Sequence, residues 1–127
     1  MVANLFKVPM VFAKKSKPST LKNNDVYTAE VHSYTKNITN TIVVSEKFIN
    51  KDDKVLIVDD FLKGGGTITG MISLLSEFDS ELVGVAVFAE NAKGDRDIHE
   101  YKSLLTVSDI DVKAQKVEVE VGNIFDK

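Results

Sequence analysis

Two adjacent acids, Asp59 and Asp60, are followed after three residues by the run Gly64-Gly65-Gly66-Thr67. A phosphate group needs converging N–H donors and a backbone that can come close. Three glycines entering a helix N-terminus supply both, along with the positive end of the helix dipole. Thr67 adds a hydroxyl. Carboxylates accept hydrogen bonds, so they suit hydroxyl donors better than phosphate. Acids beside an anion cradle therefore point to a sugar diol carrying a phosphate, and a phosphorylated ribose fits. A buried strand with a flexible turn and two solvated aspartates is the plainer reading. Against it stands the entropic cost of a glycine triplet where no close backbone approach is required.

Two other phosphate motifs do not fit. The Walker A pattern needs Lys-Ser/Thr after its last glycine, whereas Lys63 precedes the glycines here. The dinucleotide fingerprint is missed by one residue, because Gly64 and Gly66 are followed by Gly70.

The elements that must hold these residues follow from periodicity. Val55-Leu56-Ile57-Val58 is an apolar run bounded by polar turns, as in a parallel strand covered on both faces. Met71, Leu74, Leu75 and Phe78 recur at helical spacing, so a helix starts at the glycine loop and ends near Asp79-Ser80. Leu82 to Ala89 is a second apolar strand. Together they make a βαβ unit whose ligand edge is the carboxyl end of its strands. Upstream, Met1 to Phe6 reads as a helix stub before the Val8-Pro9 break, and Met10 to Ala13 as a short buried strand. Lys14, Lys15 and Lys17 form a basic cluster at its exit, either a solvated loop or an anion contact.

Val26 to Val44 reads as a hairpin broken at Lys36-Asn37. Neither face of its first arm is cleanly apolar, so the ribbon is expected to project from the core rather than line it. Ser45 caps a short turn through Phe48, and Asn50 to Lys54 is a polar turn. Glu90 to Asp97 reads as a charged loop, Ile98 to Ser103 as a helix, Leu104 to Val107 as a strand, and Val117 to Val121 as a half-exposed edge strand.

The 127 residues suit one domain, and 43% hydrophobic residues suffice for its core. Sixteen basic against nineteen acidic residues leave a net charge of −3, which argues against direct nucleic-acid binding. Without cysteine there is no disulfide, thiol nucleophile or thiolate metal site. His32 and His99 are expected on the surface. No run is long enough for a signal peptide or a membrane span, so a cytoplasmic protein without membrane contact is expected.

The stretch from Val55 to Thr67 resembles the phosphoribosyl pyrophosphate motif of type I phosphoribosyltransferases: four apolar residues, two acids, then small and apolar ones. Val8 to Lys15 and Val26 to Lys36 are similar to xanthine phosphoribosyltransferases. Tyr101 to Ser108 and the ending around Gly122-Asn123 resemble the purine operon repressor, a relative that keeps the ligand motif and regulates transcription.

The resemblance implies an α/β fold: a Rossmann-like parallel sheet of the type I phosphoribosyltransferase kind with a β-hairpin flap, lacking the first strand. Asp59 and Asp60 would be the catalytic acids, holding the ribose hydroxyls directly or through Mg²⁺. Phe61 and Lys63 to Thr67, with Gly64, Gly65 and Gly66 between, would bind the ribose phosphate. Tyr27 to Thr41, including Glu30, would be a mobile flap over the pyrophosphate with Lys14 and Lys15 at its root. The implied ligands are phosphoribosyl pyrophosphate or a nucleoside monophosphate, with Mg²⁺ and a purine base, in a homodimer. The implied reaction displaces pyrophosphate from ribose C1 by a purine nitrogen, in purine salvage of the xanthine type. The alternative is a non-catalytic effector domain that senses phosphoribosyl pyrophosphate.

Two departures from the family pattern stand out. The chain begins inside the helix that follows the family's first strand and pyrophosphate turn, as an amino-truncated single domain over residues 1–127. That strand would lie between Met10 to Ala13 and Val55 to Val58, so either the sheet rearranges or another chain fills the gap. Xanthine-type enzymes also carry a lysine and an aromatic after Glu90, where this chain reads Asn91-Ala92-Lys93.

Overall fold

The apolar run after Lys54 becomes a strand longer than its four-residue core, β4 (Lys54–Leu62), in a computed structural model of the chain. The structure describes residues 1–16, 26–33, 38–92, 98, 100–111, 113, 115 and 116–126. A short helix α1 (Val2–Phe6) opens the chain, followed by β1 (Lys14–Ser16), β2 (Val26–Ser33), β3 (Ile38–Ser45) and β4. Then come α2 (Gly66–Phe78), β5 (Glu81–Asn91), β6 (Lys102–Asp111), β7 (Lys116–Val121) and a 3₁₀ turn, Asn123–Phe125. One sheet is antiparallel in the order β1-β3-β2, and the other runs β4-β5-β6-β7 with only the β6–β7 pair antiparallel. This is the expected α/β architecture with a parallel sheet and a hairpin.

Helix α2 lies between the two sheets because its apolar side chains point in two directions. Ile68 and Leu75 pack with Ile57, Leu62, Val85, Val87 and Ile98. Leu74 and Phe78 pack with Val31, Ile42 and Val44 of the ribbon, while Met71 touches both clusters. The helix ends where Asp79 turns left-handed, its N–H donating to the Ser76 carbonyl.

Six expectations need correction. The ribbon does not project: Ala29 stands opposite Ile42 in register, and Val31, Ile42 and Val44 are buried on α2. The first arm reads as mixed because the apolar partner that selects its face comes from a helix some forty residues on. Residues 10–13 form no strand. The ladder begins only at Lys14, paired with Val43 of β3, since a strand exists only where a neighbour takes up its backbone groups.

The described residues among 98–103 form no helix. Ile98 is buried in the core, and β6 starts at Lys102, where pairing Ala86 with Lys102 and Val87 with Ser103 outweighs a six-residue helical propensity. Glu90 and Asn91 belong to β5, not to a loop. β4 is covered on one face only: Ile57 is 5% exposed, whereas Leu56 and Val58 are 38% and 50% exposed. β7 is a strand as expected, but it is exposed throughout. Lys17, the Lys36-Asn37 break and His99 lie outside the described residues. No helix among the described residues is long and apolar enough to cross a membrane.

Candidate functional site

β4 carries the acidic pair toward the glycine loop and continues two residues beyond it, so the acids sit inside the strand rather than after it. Alternation separates them. Asp59 is half-buried and Asp60 is exposed. Each carboxylate folds back on the next peptide: the Asp60 N–H donates to Asp59 Oδ1 at 2.8 Å and the Phe61 N–H to Asp60 Oδ1 at 2.7 Å. These bonds fix the carboxylates against the strand and leave the second oxygen of each for another donor.

Burial pushes the Asp59 carboxyl above its ordinary value. The bond from the Asp60 N–H opposes this, while the Asp60 carboxylate reinforces it through a side-chain hydrogen bond and by repulsion. The Lys15 ammonium pulls the other way. Lys15 thus acts electrostatically on Asp59 across a sequence separation of more than forty residues.

The glycine loop enters α2 as the spacing predicts. Gly65 is the N-cap with φ 88°, a left-handed conformation that disfavours any side chain. A Cβ there would lie 3.0 Å from Ile98 Cγ2 and 3.7 Å from Leu62 Cδ1, so protein backs the loop on that side. Gly64 is open: a Cβ there would meet nothing within 4 Å. Gly66 and Thr67 are both half-buried, and Lys63 is exposed. The first bond of the helix from this turn runs from the Thr69 N–H to the Gly65 carbonyl at 2.8 Å, and the Thr69 hydroxyl donates to the same oxygen at 2.8 Å. The N–H groups of Gly66, Thr67 and Ile68 precede that first bond and have no carbonyl four residues back within the helix. Phe61 is 40% exposed beside the acids.

The other sequence-selected residues lie in the antiparallel sheet. Lys14 and Lys15 face Val43 and Ile42 across β3, and on its far side Thr28 and Ala29 oppose the same two residues. Tyr27 and Glu30 stand in β2 opposite Val44 and Thr41. The lysines and the first arm of the ribbon are therefore level in one sheet, with both lysine side chains and Glu30 exposed.

One buried group escaped the sequence reading. Glu90 is 6% exposed at the end of β5, in register with Leu62. Its carboxylate accepts from the hydroxyls of Ser103 at 2.7 Å, Thr106 at 3.2 Å and Tyr101. The Asn123 N–H donates to Ser103 Oγ at 3.2 Å, and Asn123 Oδ1 accepts from the Ser103 N–H at 2.7 Å. The available signal was an acid closing an otherwise apolar strand, where a charge survives only with partners. Its hydroxyl partners come from β6 and the residue before it, a separate stretch of the chain.

Among the described residues no three or more His, Cys, Asp or Glu side chains gather as a metal site. Two neighbouring carboxylates, each with one oxygen not engaged by the backbone bonds above, suit a Mg²⁺ that keeps most of its ligands from water and a substrate's phosphates.

Residues 1–121 match the family described as the phosphoribosyl transferase domain. The chain belongs to that family. It is 49% identical over 127 residues to the "Probable purine biosynthesis transcriptional regulator PurR" of Streptococcus pneumoniae, which covers 99% of this chain and 46% of that protein. It is 52% identical over 92 residues to the xanthine phosphoribosyltransferase of Lactobacillus delbrueckii subsp. bulgaricus, covering 72% of this chain and 48% of that one. The chain spans about half the length of these curated relatives.

Among solved structures, the adenine phosphoribosyltransferase of Thermoanaerobacter pseudethanolicus superposes with a TM-score of 0.64 at 20% identity, covering 83% of this chain and 60% of that one. The adenine phosphoribosyltransferase of Trypanosoma brucei, solved with AMP, pyrophosphate and ribose-5-phosphate, gives 0.60 at 21% identity, with 70% and 37% covered. Both likenesses concern the fold.

Proposed function

We propose that this chain binds the ribose 5-phosphate portion of phosphoribosyl pyrophosphate, and that it serves a purine phosphoribosyltransferase of the xanthine type. The carrying observation is the continuity of β4, the acidic pair and the left-handed Gly65 turn into α2. The N–H groups at the start of α2 take the 5-phosphate, with Gly64 leaving room for it. Asp59 and Asp60 take the ribose hydroxyls, and a Mg²⁺ brought in with the pyrophosphate is held by the same acids. When bound there, the ion would supply positive charge to offset that of the pyrophosphate. Lys14 and Lys15 add positive charge on the same side, as the action of Lys15 on Asp59 supports. The catalytic contribution of this chain is positioning and electrostatic stabilisation.

A second reading, a domain that senses phosphoribosyl pyrophosphate without turning it over, is favoured by a specific observation. The regulator from Streptococcus pneumoniae matches along 99% of the chain, against 72% for the xanthine enzyme. The Asn91-Ala92-Lys93 sequence after Glu90 also departs from the xanthine pattern. Incubation with phosphoribosyl pyrophosphate, Mg²⁺ and each purine separates the two. Pyrophosphate release with xanthine supports the transferase, and saturable binding without release supports the sensor. Absence of binding overturns both.

A further inference from the structure

The left-handed Gly65 turn rests on two supports. A Cβ on Gly65 would stand 3.0 Å from Ile98 Cγ2 and 3.8 Å from the Ile98 backbone nitrogen, with Leu62 Cδ1 at 3.7 Å. Ile98 and Leu62 are both buried in the cluster that α2 enters through Ile68. Leu62 is fixed by the β4–β5 ladder, in register with Glu90. Ile98 lies in the connection between β5 and β6 and belongs to no strand or helix, so its place depends on what ties down the chain around it.

Tyr101 is that tie. It follows Ile98 by three residues and packs against the same cluster, and its hydroxyl donates to Glu90 Oε2. Glu90 is the penultimate residue of β5 and Tyr101 the last before β6, so their bond closes the connection that carries Ile98. The carboxylate is itself held in place, because Oε1 accepts from the hydroxyls of Ser103 and Thr106. Hydroxyl donors to a carboxylate form the stronger class of hydrogen bond. Asn123 grips the same stretch of chain: Nδ2 donates to the Tyr101 carbonyl at 2.9 Å, and Oδ1 accepts from the Ser103 N–H at 2.7 Å. A buried acid that lost these partners would be costly, so Glu90 and the residues it binds settle into one arrangement.

We propose that Glu90 is a positioning residue for the Gly65 turn. Through Tyr101 it fixes the connection that seats Ile98 behind Gly65, and so sets the direction of the N–H groups at the start of α2. That these groups take a phosphate rests on the function proposed above; the link from Glu90 to Gly65 does not. Glu90 touches no ligand and acts through Tyr101 and Ile98 alone.

Two variants that each take one hydroxyl from the same carboxylate test this. Tyr101→Phe keeps the ring against the core and cuts the tie to the connection. Thr106→Val is the matched control, since Thr106 pairs with Glu90 inside the β5–β6 ladder. The first readout is the amide resonance of Gly65 in the ligand-free protein. Tyr101→Phe is expected to displace it, and Thr106→Val to leave it in place. Glu90→Leu is expected to reproduce the displacement. Glu90→Gln is expected to restore the wild-type position, because its oxygen still accepts from Ser103 and Thr106 and its amide can donate to the Tyr101 oxygen. The second readout is calorimetric affinity for ribose 5-phosphate, expected to weaken by roughly threefold to tenfold in Tyr101→Phe and by less than about twofold in Thr106→Val. Circular dichroism checks the fold of each variant. Equal displacement by the two hydroxyl variants would mean that Glu90 supports the fold at large, and it overturns the proposal. A Gly65 resonance unmoved in Tyr101→Phe overturns it too. Failure of the wild type to bind ribose 5-phosphate counts against the phosphate reading, while the resonance contrast still decides the role of Glu90.

Discussion

Gly70 of α2 lies so close to Val31 of β2 that a Cβ on the glycine would stand 2.6 Å from the valine Cγ2. The helix and the ribbon touch there without an intervening side chain. Val31 is stiff at χ1, and its neighbour Ile42 Cδ1 lies 3.4 Å from the same point, so neither can yield cheaply.

Gly70→Ala is therefore expected to destabilise the protein by about 1–3 kcal/mol, despite the helical propensity it gains. Gly84→Ala is the control. A Cβ there meets Leu56 Cδ1 at an ordinary 3.5 Å, and stability should change little. Urea denaturation of both variants checks the contrast, and equal midpoints would mean that α2 does not rest on β2 in this way.

Gly122 meets a harder obstacle. Its Cβ would fall 2.2 Å from the Ser103 carbonyl oxygen, a backbone atom of β6. Gly122→Ala must break the contact between the β7 end and β6, where the Gly122 N–H donates to the Leu104 carbonyl at 2.8 Å. A greater loss of stability than in Gly70→Ala is expected, with faster hydrogen exchange along β6. An unchanged exchange pattern would argue against this packing.

The central strands and α2 are legible in the sequence because each carries its own periodicity, apolar for Val55 to Val58 and Leu82 to Ala89, helical from Ile68 to Phe78. So are the glycine turn and the alternating valines of β7. What escapes is whatever a distant partner decides. Residues 10–13 look like a strand by composition, but only Lys14–Ser16 meet β3. Ala29 and Val31 become core residues because α2 lies over them. Tyr101 and Ser103 leave the helical pattern because Glu90, on the neighbouring strand, takes their hydroxyls. At the site, the acids and glycines are readable as a unit. The influence of Lys15 on Asp59 is not, since it depends on how the two sheets sit around α2.

That influence gives a titration prediction. Asp59 titrates above the ordinary carboxylate range because of burial, reinforced by Asp60 and opposed by Lys15. Lys15→Met should move its midpoint further up, and Asp60→Asn should move it down. Carbon-detected NMR of the Asp59 carboxyl follows both shifts, and an unmoved midpoint in Lys15→Met would separate β1 from the acids.

The sign for stability follows from the same shift. A carboxyl whose pKa is raised by folding holds its proton more tightly in the native state. The native state therefore loses stability as pH rises from the ordinary carboxylate range through the raised value. Asp59→Asn removes that loss. Relative to wild type, the variant should gain stability on going from acid to neutral pH, as denaturant midpoints measured across that range would record. A gain that shrinks with rising pH would contradict the direction of the shift.

The central claim is that the acids of β4 and the N-terminal turn of α2 hold one ribose 5-phosphate between them. Isothermal titration of the wild type and of the double variant Asp59→Asn with Asp60→Asn against phosphoribosyl pyrophosphate and Mg²⁺ tests it most directly. Saturable binding by the wild type, lost in a double variant that keeps its circular dichroism spectrum, is the expected result. Equal affinity in the two proteins, or no binding by either, would contradict it.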